Sequence, residues 1–148
     1  MSSNRASSFH LRWGGLPPAV ALVAAEATLE VVQAPAVAEL YFWALQVSFT
    51  DRGRHTGGAH VGLQWHPAHP GATAVNFGGY GTTGHELDGS TSALPSATAN
   101  PNTRDLDWRT GRPYRLSVVP GSGRGEWDGA VDGAVVRRLS GAVTGWTS

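Results

Sequence analysis

The stretch ELYFWALQVSFTD, Glu39 to Asp51, carries the clearest period-two signal in the chain. Tyr41, Trp43, Leu45, Val47 and Phe49 fall on one side of an extended chain, and Phe42, Ala44, Gln46, Ser48 and Thr50 on the other. Successive side chains of a β-strand point to opposite faces, so this period of two predicts a long strand with one strongly apolar face. Such a strand needs an apolar layer laid over it, and the chain repeats the pattern. His60 to His66 sets Val61, Leu63 and Trp65 against His60, Gly62, Gln64 and His66; Thr73 to Tyr80 sets Val75 and Phe77 against Asn76, Gly78 and Tyr80. YRLSVV (Tyr114 to Val119) alternates too, and ATLEVVQ (Ala27 to Gln33) is β-prone and is stopped by Pro35. EWDGAVDGAVVRRL reads as a strand pair turned at Asp132-Gly133, and FHLRW (Phe9 to Trp13) as a further strand. Only Ala19 to Ala27, after Pro17-Pro18, offers a short helix.

Twenty glycines and nine prolines in 148 residues, with only 15% charged residues, describe a turn-rich chain that is not disordered. The length suits one domain, 1–148, with residues 1–8 expected as a disordered tail. Many short strands between Gly, Pro and Asp turns predict an all-β, two-sheet antiparallel sandwich of the jelly-roll kind. The last residues, LSGAVTGWTS, end abruptly for a sandwich, so a missing C-terminal closing strand is expected. Leu87 to Arg109 is Ser-, Thr-, Asn- and Pro-rich without periodicity and is expected to be a long loop.

The 11 basic residues are all Arg, balanced by 11 acidic ones and without clusters, which argues against a nucleic-acid or membrane partner. The chain has no Cys, hence no disulfide framework and no Cys-ligated metal; no cofactor is expected. Leu16 to Ala25 is apolar behind Arg5 and Arg12, but two prolines and the strand-like FHLRW speak against a signal peptide and favour a cytoplasmic chain.

TGRPYRLSVVPG followed by GEWDGAVDGAVVRRL resembles the back half of concanavalin A-like lectin/glucanase domains, with YFWALQVSF and HVGLQWHP…AVNFGGYG as the preceding sheet strands. The resemblance covers roughly residues 9–140, through strand patterns. It implies a jelly roll whose concave sheet binds saccharide. Some members of the superfamily are glycosidases carrying Glu-x-Asp-x-Glu on one strand. This chain has no such triplet, only Glu86-Leu-Asp88 and Asp105-Leu-Asp107.

A hairpin turned about Pro67 to Thr73 would set His66 against Ala74, Gln64 against Asn76, Gly62 against Gly78 and His60 against Tyr80. Symmetric closure of Asp51 to Ala59 would then put Gln46 beside Gln64. The expected result is a row Gln46, Gln64, Asn76, with a notch at the opposed glycines. Amides offer donors and acceptors to hydroxyls, and aromatic rings offer a flat apolar surface. The expected ligand-binding residues are therefore Gln46, His60, Gln64, His66, Asn76 and Tyr80, and the expected function is non-catalytic binding of a saccharide or other small polar ligand. A merely solvated face is the plainer reading, although this one lacks Lys and Glu.

Two other classes compete. A glycoside hydrolase or lyase would use Glu86 and Asp88 as paired carboxylates with His66. A structural or protein-interaction domain would use no ligand. No Gly-x-Ser-x-Gly elbow is present. His66 and His69, with His55, His60 and His85 in reserve, have metal-like spacing. However, Pro67 and Pro70 place the first two around a turn, and loop histidines explain them better than zinc. Asp88, Asp128 and Asp132 sit in Asp-Gly turns without a calcium-loop pattern. Arg104, Arg109 and Arg112 bracket Asp105 and Asp107, where local ion pairing is expected. Trp43 and Trp65 are expected in the core.

Overall fold

The alternating stretches form two antiparallel sheets, and the computed structural model describes residues 9–15 and 22–141. In chain order the strands are β1 (Ala25–Glu30), β2 (Tyr41–Asp51), β3 (Arg54–Trp65), β4 (Thr73–Gly81), β5 (Asp88–Gly89), β6 (Thr103–Asp105), β7 (Pro113–Pro120), β8 (Glu126–Val131) and β9 (Ala134–Ser140). One sheet runs β1-β7-β8-β9-β5 and the other β2-β3-β4-β6. The protein is an all-β sandwich, as the period-two pattern requires.

The apolar faces meet. Leu45, Ala59, Val61, Leu63, Val75 and Phe77 of the four-stranded sheet are buried against Tyr114, Leu116, Val118, Val136 and Leu139 of the five-stranded one. Each fully covered Leu, Val or Phe contributes about 1.5–3 kcal/mol relative to exposure. The Phe77 ring sits where a side chain of residue 129 would be: a Cβ on Gly129 would stand 2.1 Å from it. Trp43 and Trp65 pack at the core margin around the buried Trp108, whose Nε1 donates to Gln64 O at 2.9 Å.

Two tight turns fix the hairpins. Asp132 and Gly133 take φ of 51° and 81°, the mirror-image turn that matches strand twist. Asp132 also accepts the Arg115 N–H at 2.8 Å. Arg52 and Gly53 take φ of 50° and 76° and reverse the chain between β2 and β3. That is a correction: the connection is two residues, not a symmetric loop over Asp51 to Ala59, and β3 starts at Arg54. A register shift between Phe49 and Thr50 absorbs the mismatch.

Three further expectations change. Leu87 to Arg109 is not one loop, since β5 and β6 within it pair with β9 and β4. Phe9–Trp13 forms no strand, and Phe9, Leu11 and Trp13 are 96%, 100% and 69% exposed. Of the short helix expected over Ala19 to Ala27, Ala25 to Ala27 are strand, and residues 19–21 lie outside the described residues, as do the expected tail 1–8 and most of the abrupt C-terminal end.

Candidate ligand-binding face

The outer face of the four-stranded sheet is crossed by four rows. Phe42, Gln64, Ala74 and Asp105 form the first; Ala44, Gly62, Asn76 and Thr103 the second; Gln46, His60 and Gly78 the third; Ser48, Gly58 and Tyr80 the fourth. The expected row Gln46, Gln64, Asn76 does not form, because both hairpins have a different register. Positive φ at Gly71 (65°) and Ala72 (57°) reverses the chain before Thr73, so Gln64 faces Ala74, Gly62 faces Asn76 and His60 faces Gly78. Gln46 faces His60. The offsets are even numbers of residues, so Gln46, His60, Gln64, Asn76 and Tyr80 keep their face even though their neighbours change, whereas His66 lies beyond the end of β3 in the turn.

Glycines let long side chains lie across the rows. Tyr80 covers Gly58, where a Cβ would stand 3.0 Å from its Oη, and Gln46 Nε2 donates to that Oη at 3.4 Å. The rings of Phe42 and His60 meet edge-to-face at 5.1 Å across the row that holds Ala44 and Gly62. The expected notch between opposed glycines is therefore replaced by an aromatic pair. Burial lowers the pKa of His60, which keeps the imidazole neutral at pH 7.

Between these groups, Gln64 and Asn76 are only 6% and 7% exposed. Asn76 Nδ2 donates to Thr103 Oγ1 at 2.9 Å, but Asn76 Oδ1 and Gln64 Oε1 are buried without a hydrogen-bond partner. Native proteins rarely leave buried acceptors unused.

A second polar cluster stands at the Ala74 and Asp105 end. His69, whose side chain is fully covered, donates from Nδ1 to Asp105 Oδ1 at 2.6 Å. Asp105 Oδ1 also accepts the Ala97 N–H at 3.1 Å, and His69 Nε2 lies 3.5 Å from Thr98 Oγ1. The hydrogen bond from His69 holds the Asp105 carboxyl below the usual range. His66 packs edge-on against His69 at 4.7 Å, and its pKa is lowered by burial and then by that neighbour. The cluster pins the 95–105 segment onto the β3–β4 turn. The sequence reading missed the pair, because it assigned Asp105 to arginine partners. Arg104 instead donates to Pro101 O, Arg112 pairs with Asp132, and only the exposed Arg109–Asp107 contact at 3.4 Å forms as expected.

Glu86, Asp88 and His66 do not come together. Glu86 bridges to Tyr80 at one end of β4 and Asp88 pairs with Ser140, whereas His66 follows Trp65 at the other end. The seven steps from Thr73 to Tyr80 span about 23 Å at roughly 3.3 Å each. The two carboxylates act on Arg137, which is 8% exposed and reaches Ser90 O and Asn102 Oδ1; burial lowers its pKa and the two acids oppose that. Among the described residues no three His, Asp or Glu side chains converge on a point that would hold a metal ion. Two shallow depressions, one lined by Pro35–Ala38, Trp65, Pro67 and Ala72 and one beside Trp127, lie off this face. No protein-family profile, curated protein or solved structure matches the chain. The candidate site thus rests on its own geometry.

Proposed function

We propose that this face binds a small polyhydroxylated ligand, of which a saccharide is the leading example, without chemical conversion. The observation that carries the reading is the pair of buried acceptors, Gln64 Oε1 and Asn76 Oδ1, that no protein group satisfies. Ligand hydroxyls would donate to them once the two amides, covered in the free protein, turn outward, and the Phe42 and His60 rings would supply an apolar surface for a pyranose face. Gln46 and Tyr80 lie on the same face and add donors and acceptors. The resemblance of the strand pattern to concanavalin A-like lectin domains supports the same ligand class. The hydrolase alternative is weakened by the separation of His66 from Glu86 and Asp88.

The test is a glycan array followed by calorimetry, with wild type beside Gln64→Ala/Asn76→Ala and near-UV circular dichroism to verify folding. Wild type is expected to bind at least one glycan class and the folded double variant to lose at least tenfold in affinity. An array on which wild type binds nothing overturns the proposal.

A further inference from the structure

Among the described residues β2 pairs only with β3, so the backbone groups of Phe42 to Ser48 that point away from β3 form an open sheet margin. Natural sheet edges are normally blunted by Lys, by Pro or by being short. This one belongs to an 11-residue strand, and no residue from Leu40 to Thr50 is charged or Pro. The core is also unfinished on this side. The inward side chains Trp43 and Val47 of β2, and Ala27 and Leu29 of β1, are only partly covered.

The chain carries a segment that fits this margin and is itself unpaired. Phe9, Leu11 and Trp13 alternate with His10 and Arg12, and all three apolar side chains stand in solvent. An extended segment with one apolar face is costly to leave exposed. We propose that residues 9–13 of one copy add as a strand to the open β2 margin of a second copy, with the exchange reciprocated to give a two-fold dimer. Phe9, Leu11 and Trp13 would face inward beside Trp43 and Val47, and His10 and Arg12 outward beside Ala44, Gln46 and Ser48. Strand addition draws its affinity from main-chain hydrogen bonds and its specificity from alternate side chains. Phe and Trp bury about 150–250 Å² each, so the two copies bring roughly 600–1,000 Å² from these aromatics alone. With Leu11 and the surface covered on the receiving strand, the total reaches the roughly 1,200 Å² of a specific interface.

Sedimentation of the full chain over a wide concentration range tests the assembly, with Leu11→Asp as the comparison. Leu11 is fully exposed, so its replacement leaves the folded body intact. Wild type is expected to dimerise, and Leu11→Asp to raise the midpoint concentration at least tenfold with unchanged near-UV dichroism. A second measurement locates the contact. Because the chain has no Cys, when a copy carrying Arg12→Cys is mixed with one carrying Ala44→Cys, Gln46→Cys or Ser48→Cys under an added thiol oxidant, the only bridge between the two unlike copies is the engineered one, separable by mass from either homodimer. A mixed disulfide with at least one of these, and none with exposed Arg109→Cys, is expected. Three results overturn the proposal: a wild-type monomer at every concentration, including one that docks residues 9–13 on its own β2; a dimer indifferent to Leu11→Asp; and no mixed disulfide at any of the three positions.

Discussion

Gln64 is a destabilising residue in the free protein. A buried acceptor left without a donor costs about 1–3 kcal/mol, so Gln64→Met, similar in shape and without the oxygen, is expected to raise stability by about 1 kcal/mol. For a chain of this size that is a Tm gain of roughly 2–4 °C, and calorimetry should show ligand binding reduced in the same variant. Such opposition between stability and activity is the usual mark of a functional position. Asp105 behaves in the opposite way. It accepts from both His69 and the Ala97 N–H, so Asp105→Ala is expected to cost about 2 kcal/mol in urea unfolding and to speed amide exchange over residues 95–98. At this scale the sequence was half legible. Side-chain parity is a local property of an extended chain, so Gln46, His60, Gln64, Asn76 and Tyr80 could be assigned to one face from spacing alone. Their neighbours could not, because register depends on Arg52, Gly71 and Ala72 adopting positive φ, and Arg and Ala rarely do so. Nothing local to HPAHP or RDLD shows that His69 and Asp105 meet.

The strands that alternate over six residues or more were legible because their pattern must bury one face. β5 and β6, two and three residues long, were not, since they exist only through pairing with β9 and β4 at the sheet edges. The packing between sheets was equally hidden: Gly129 looks like another turn glycine in EWDGAVDG, yet it is the place where Phe77 crosses from the facing sheet. Gly129→Ala would put a methyl group inside the ring's contact distance and is expected to destabilise by about 1–3 kcal/mol through overpacking. Phe77→Leu in the same chain should recover part of that loss, and a double-mutant cycle in urea would measure the coupling.

At the scale of the molecule, acid should act in two stages. His60 and His66 both have folded pKa values below the ordinary value near 6.5. As pH falls through 6.5 the unfolded chain takes up protons before the folded one, so stability drops from about pH 7 towards pH 5. Asp105 is depressed as well; its contribution is present above the ordinary carboxylate range and is lost only as pH falls below that range. Urea midpoints measured between pH 7.5 and 5 should therefore decline, and less steeply for His60→Gln. The sandwich itself was legible in outline, because alternating strands with thin helical signals leave few other ways to cover an apolar face. The pairing order was not, because contacts between distant strands leave no local trace. That order also imposes a timetable on synthesis. The β2-β3-β4 meander is complete once Gly81 has emerged from the ribosome, whereas β1, the first strand of the described residues, pairs among them only with β7 and must remain without that partner until Val118 appears. For most of its own translation the nascent chain is half a sandwich, and it is then that a holdase chaperone would have the most to bind.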